Sequence, residues 1–135
     1  MKMRVSATVK NNLKNHMVIV NSSNKTQNIA ISGKKKKVVS AVSGGELLAA
    51  ALATCFCNDL YREAVDFHID IKNVSVEASC EFSEIGAPAY DFSYKADIVA
   101  DATDKEIEAL IQHTDRVAEI HNTLRNEVEV VLDRS

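Results

Sequence analysis

The stretch Ser43–Cys57, SGGELLAAALATCFC, decides how this chain folds. Ser43 and Glu46 stand in the Ser-x-x-Glu spacing of a reciprocal helix cap, hydroxyl forward and carboxylate back. The residues that follow, among them Leu47, Leu48, Ala51, Leu52, Cys55 and Phe56, leave almost no polar face. A helix apolar on every side belongs in the centre of a fold or of an interface. The pattern predicts a helix from Ser43 to about Val65. Cys55, some three turns in, is either a packing residue or a protected reactive thiol.

On the N-terminal side the pattern changes to short strands. Val5, Ala7 and Val9 share one face, and Val18 with Val20 starts a second alternation. Asn21–Asn24 reads as a polar turn, followed by Ile29 and Ile31. On the C-terminal side Val74, Val76, Ala78 and Cys80 alternate with Ser75, Glu77, Ser79 and Glu81. Glu84–Ala89, with Gly86 and the sole proline Pro88, reads as a connecting loop to a second long strand. Tyr90, Phe92, Tyr94, Ala96 and Ile98 face one way along it. Thr103 and Glu106 repeat the capping spacing and open a helix with Ile107, Leu110, Ile111, Thr114, Val117 and Ala118 on one side. Glu127–Leu132 reads as a closing strand. The order implies an α+β fold, and residues 1–135 read as one domain without linker or repeat.

Composition narrows the functional classes. A net charge of −3 gives no electrostatic case for nucleic acid, and the basic run Lys34–Lys37 reads as a solvated loop or strand edge. MKMRVSATVK lacks the apolar segment of a secretion signal, and Leu47–Cys57 is too short to span a bilayer. A soluble, cytoplasmic protein with no membrane partner is expected. Three cysteines in a reducing compartment argue against a disulfide framework. Neither Cys-x-x-Cys nor His-x-x-x-His spacing occurs, so no metal and no cofactor is expected.

Glu46-Leu47-Leu48, the Ala-rich turn after it and Cys55 nine positions beyond the glutamate resemble the OsmC/Ohr family, the osmotically inducible protein C and organic hydroperoxide resistance proteins. The element order resembles that family over essentially the whole chain, and Leu124 followed by Val128-Glu129-Val130 matches its closing strand. The resemblance implies antiparallel sheets around a long buried central helix in an intertwined homodimer. It also implies a thiol peroxidase, in which one cysteine attacks an organic hydroperoxide and a second resolves the sulfenic acid as a disulfide. Chemically, the attacking species is a thiolate, and a nearby thiol must trap the sulfenate before overoxidation. By position Cys55 is the attacking cysteine, and Glu46 joins it as the second catalytic candidate. On the residues alone, Glu46 is equally the N3 half of the helix cap.

The chain departs from the family at three places. Where the resemblance puts the resolving cysteine stands Ala118, followed by Glu119 instead of proline. Gly45 replaces an acidic residue before Glu46. The family's N-terminal arginine has only Arg4, Lys10, Lys14 and Lys25 to match it, and a lysine lacks the guanidinium's rigid fork. Cys57, two residues from Cys55, points to another side of the helix. Cys80 reads as a buried, inert cysteine. His113 and His121, eight apart on one helical run, are surface or satisfied residues unless one serves Cys55 as a base. Phe56, Phe82, Tyr90, Phe92 and Tyr94 read as core. Two functions remain. One is reduction of a small hydrophobic hydroperoxide through Cys55, regenerated by an external thiol reductant. The other is a non-catalytic dimeric relative that binds a small hydrophobic ligand.

Overall fold

The computed structural model describes residues 2–12, 16–34 and 37–134, with side chains left aside at 33–39. The Lys34–Lys37 run and Lys14 therefore lie wholly or largely outside the described side chains. The chain forms two compact units, Met1–Glu46 and Leu47–Ser135. In the first, β1 (Val5–Asn11), β2 (His16–Ser22) and β3 (Lys25–Ile29) make an antiparallel meander, with Val9 opposite Val18 and Val18 opposite Ile29. The polar turn narrows to Ser23-Asn24, with Ser23 in the left-handed region at φ 53°. Only Val18 of this unit's described apolar residues is buried, whereas Val5 and Val9 stand open at 65% and 55%. A two-stranded ladder of β4 (Gly33–Lys34) and β5 (Lys37–Ser40) follows.

The long helix α1 runs Gly44–Ala64. Its start is the expected cap: Glu46 N donates to Ser43 Oγ at 3.0 Å, and Ser43 N donates to Glu46 Oε1 at 3.1 Å. It ends where His68 turns left-handed at φ 53° and Ile69 N bonds back to the Ala64 carbonyl at 3.1 Å. Burial within the chain falls on Leu52, Phe56, Leu60 and Ala64, a stripe at four-residue spacing, and on Asp59 beside it. Leu47 in the first turns remains 40% exposed.

The second unit packs Phe56, Leu60 and Ala64 of that stripe against a hairpin of β6 (Ile71–Glu81) and β7 (Tyr90–Ala100). Register pairs Val74 with Ile98, Val76 with Ala96 and Ala78 with Tyr94, so the inward residues of both strands line one face. The Glu84–Ala89 loop turns at Gly86, whose φ of +86° suits a residue without Cβ, and Ala87 N bonds to Glu84 O. Tyr94, Ala96 and Ile98 meet the core, but Phe82, Tyr90 and Phe92 at the hairpin's outer end are exposed at 54%, 45% and 39%. Phe82 lies one residue beyond β6, and the ladder is irregular between Ser79 and Glu81, with Asp91 left-handed at φ 52°, so the regular alternation stops short of this end and these three are not core in this chain.

Thr103 caps α2 (Asp104–Val117) with both halves of the capping box formed. The helix does not continue. Ala118, buried, takes an extended conformation (φ −74°, ψ 112°), and a separate α3 runs Glu119–Arg125. Two side chains stand in for the bonds that α2 loses there: Asn122 Nδ2 donates to Arg116 O, and Arg125 Nη1 to Asp115 O, both at 3.1 Å. The expected single helical run through His113 and His121 is thus two helices.

The expected strand Glu127–Leu132 does not form. A strand needs a partner edge, and among the described residues none pairs with this segment. Val128, Val130, Val131 and Leu132 are left 58–93% exposed. No helix of the described residues is long and apolar enough to cross a membrane.

Candidate functional site around Cys55

On α1, Cys55, Asp59 and Arg62 lie at i, i+4 and i+7, and therefore on one face. The half-buried Cys55 thiol donates to Asp59 Oδ2 at 3.3 Å. From the start of α3, Glu119 brings Oε2 to 3.9 Å from the same sulfur. Arg62 Nη1 bridges the two carboxylates, 3.1 Å from Asp59 Oδ1 and 2.9 Å from Glu119 Oε1. Its Nε reaches Glu63 at 2.8 Å, and Glu63 in turn holds His113 Nε2 at 2.7 Å. The outcome is a chain of charge, sulfur–carboxylate–guanidinium–carboxylate–imidazole, that joins α1 to both C-terminal helices.

Its electrostatics do not favour a standing thiolate. Burial pushes the Cys55 thiol above its ordinary range, the backbone amide of Ile120 opposes this, and the bond to Asp59 with the charges of Asp59 and Glu119 adds to it. Burial also raises Asp59, partly offset by the thiol and by Arg62. Arg62, held by Glu63 and Glu119, stays charged throughout, and Glu63 is lowered by Arg62 and His113. A carboxyl raised in this way is a better proton acceptor near neutrality than an exposed one.

Ligand atoms of Cys55, Asp59 and Glu119 lie within 4.8 Å of one another, close enough to share a cation. The Arg62 guanidinium already compensates both carboxylates, and zinc sites take four donors or three plus water. The cluster reads as an ion-pair network.

Glu46 sits in the first turn of α1, engaged with Ser43, nine residues before Cys55. At 1.5 Å per residue that is roughly 13 Å of helix, and nine steps of 100° put it on the opposite side. Cys57 and Cys80 are free, half-buried thiols. Ala118 is fully buried among Phe56, Leu60 and Leu110, and the two residues after it are those that meet the Cys55 sulfur. His113 is tied to Glu63 and packs on Phe67 at a centroid distance of 5.2 Å.

His121 makes no hydrogen bond to Cys55. Only 4% exposed, it sits against Tyr94 at 4.4 Å and Phe56 at 5.6 Å between ring centroids. Neither ring nitrogen has a hydrogen-bond partner among the described residues. Burial and the nearby Arg125 push its pKa down, so the ring is neutral at pH 7. An unpaired buried donor or acceptor costs about 1–3 kcal/mol. Beside it Tyr94 donates its hydroxyl to Asp115, which also receives Arg125 Nη2 at 2.7 Å.

Sequence reading missed Asp59, Arg62 and Glu119. The first two were visible as helical neighbours of Cys55, but Glu119 lies 64 residues away and only the α2–α3 break delivers it.

An α+β unit with a helical thiol backed by charged side chains defines the class, and comparison supplies the family. The profile described as OsmC-like protein matches residues 33–133, and the chain belongs to that family. No curated protein matches the sequence. Among solved structures, an OsmC-like protein from Mycoplasma pneumoniae has 17% identity and a TM-score of 0.64, covering 94% of this chain and 89% of its own. An OsmC-like hydroperoxide resistance protein from Jannaschia sp. has 13% identity and a TM-score of 0.56, over 96% and 90%. An organic hydroperoxide resistance protein OsmC from Legionella pneumophila has 20% identity and a TM-score of 0.52, over 96% and 93%. At these identities the likeness is one of fold.

Proposed function

We propose that this protein reduces small hydrophobic organic hydroperoxides through Cys55, as a one-cysteine thiol peroxidase in oxidative-stress defence. The observation that carries the reading is the Cys55–Asp59 hydrogen bond at 3.3 Å inside the Arg62 network. Two structural relatives named for hydroperoxide resistance direct the choice of substrate. In the step proposed, the thiol passes its proton to Asp59 as sulfur attacks the distal peroxide oxygen. The O–O bond breaks, OH stays on sulfur as sulfenic acid, and the alkoxide leaves as an alcohol with the proton from Asp59. Sulfur is oxidised by two electrons and the peroxide reduced by two. Two equivalents of an external thiol then return Cys55 to the thiol, releasing water and the external disulfide.

With alanine at 118, oxidation should give a sulfenic acid and no internal disulfide, and a second equivalent of hydroperoxide should carry it on to sulfinic acid when reductant is absent. Treating the protein with cumene hydroperoxide, while following peroxide loss and the mass of the Cys55 peptide, tests this. No oxidation above a Cys55→Ser control would retire the reading. Ala118→Cys should introduce a disulfide if its geometry allows.

The second reading is a non-catalytic relative binding a small hydrophobic ligand, which the raised Cys55 pKa favours because a thiol is a poor nucleophile. For either reading we propose residues 1–135 as one domain in a cytoplasmic homodimer, with the exposed apolar residues of Val128–Leu132 pairing onto a second copy. Val130→Asp should then shift sedimentation toward monomer. A wild-type protein monomeric at micromolar concentration would remove the dimer.

A further inference from the structure

Two carboxylates approach the Cys55 sulfur, and they differ in what they present to solvent. Asp59, 3.3 Å away, has a side chain only 7% exposed, whereas Glu119, 3.9 Å away, is 61% exposed. The thiol is half-buried, so a reactant arriving from solvent meets Glu119 as it meets the sulfur. The cation of this network is Arg62, which is shared among Asp59, Glu63 and Glu119. Even with Glu63 matched by His113 at 2.7 Å, one guanidinium faces two carboxylates beside the thiol. An excess of negative charge therefore stands within 3.9 Å of the reacting atom. The Ile120 amide, a dipole of the opposite sense, is directed at the sulfur itself.

We propose that Glu119 acts as a charge filter for Cys55, admitting uncharged organic hydroperoxides and turning away those with an anionic group close to the O–O bond. The peroxide as reactant rests on the peroxidase reading, while the selection by charge rests on the Glu119 geometry alone. Specificity can be set by a repulsive element as well as by attraction. Here that element is held in place, since Arg62 Nη1 binds Glu119 Oε1 at 2.9 Å and leaves Oε2 turned to the sulfur. For two carboxylates about 6 Å apart at an effective dielectric of about 80, the repulsion slows the anionic reactant about threefold. The screening length falls from about 30 Å at 0.01 M salt to about 3 Å at 1 M, so high salt removes most of the discrimination. Such a filter acts on any reagent that reaches the sulfur, and it can be read without a peroxide.

The test uses the full chain and two alkylating agents of similar size, neutral iodoacetamide and anionic iodoacetate. The rate of each is read at the Cys55 peptide by mass spectrometry at pH 7. Both reagents consume the same thiolate, so the ratio of the two rates cancels any change in thiolate population. At about 0.01 M salt, Glu119→Gln should raise the iodoacetate-to-iodoacetamide ratio about threefold over wild type. Glu108→Gln, which removes an equal charge from an exposed position on α2, should leave the ratio unchanged. In wild type, about 1 M salt should raise the ratio by a similar factor, a measurement that needs no variant to fold. Equal ratios in wild type and folded Glu119→Gln, an equal rise in Glu108→Gln, or a wild-type ratio unmoved by salt would overturn the filter. The charge preference without oxidation of Cys55 by cumene hydroperoxide would end the peroxidase reading alone, and oxidation without the preference would end the filter alone.

Discussion

Replacing Asp59 by Asn separates two consequences of its place beside the Cys55 sulfur. The carboxylate lies 3.3 Å from Sγ and disfavours the thiolate. At that distance the Coulomb repulsion is about 5 kcal/mol for an effective dielectric of about 20 and about 1.3 kcal/mol for about 80. Arg62, 3.1 Å from the same carboxylate, and solvent at the half-buried thiol draw the net effect to the lower figure. That corresponds to roughly a tenfold rise in thiolate population at pH 7 in the variant. Nucleophilicity falls as the thiol becomes more acidic, with a Brønsted coefficient of about 0.4–0.5, so the alkylation rate should rise about three- to fourfold. Iodoacetamide labelling of Cys55, followed by mass spectrometry at pH 7 with fold confirmed by circular dichroism, reads this directly. Peroxide reduction should move the other way. Asn cannot carry the proton from thiol to alkoxide, a role of about 10²–10⁴ in rate for a general acid–base. Alkylation unchanged or slowed in a folded Asp59→Asn protein would refute the electrostatic account, and peroxide reduction rising with alkylation would refute Asp59 as proton carrier.

Phe56 is fully buried between Tyr94 and His121, so Phe56→Ala should cost about 3–5 kcal/mol in urea unfolding, and a loss under 1 kcal/mol would show that the site is not core. His121 is neutral in the folded chain with its pKa depressed, so the unfolded chain binds more protons below the ordinary histidine range near 6.5. Stability should therefore be full above about pH 6.5 and fall as pH drops through the window below it, and His121→Phe should flatten that slope between pH 7.5 and 5.5. Arg125→Ala removes a donor to the last turn of α2 and a partner of Asp115, and a modest loss of about 1 kcal/mol in thermal or urea unfolding is expected for so exposed a pair.

Local chemistry made much of the architecture legible. Ser43 with Glu46 and Thr103 with Glu106 cap their helices within four residues of chain, so no distant contact is needed to place those starts. The alternations of β6 and β7 identified Val74, Val76, Tyr94, Ala96 and Ile98 as inward, because a pleated strand has a fixed period of two, and failed at Tyr90 and Phe92, where the ladder is irregular. Cys55 stood out for the same reason, as a thiol on an apolar helix whose neighbours could be counted.

The rest depended on where elements end and what lies opposite. Nothing in the residue pattern of 104–125 marks the break at Ala118, because α2 is terminated by Asn122 and Arg125 folding back onto its carbonyls. That break turns His121 into the core and sends Glu119 to Cys55, a contact no periodicity encodes. Glu127–Leu132 has the composition of a strand but pairs with no edge among the described residues, and a strand's hydrogen bonds require one. Sequence by itself determined the starts of α1 and α2, the β6–β7 hairpin and the thiol on its apolar helix, whose causes are local. Tertiary structure alone decided that Glu119 joins Asp59 and Arg62 beside the thiol, because it comes from 64 residues away and charge acts across space in a way that spacing along the chain does not report.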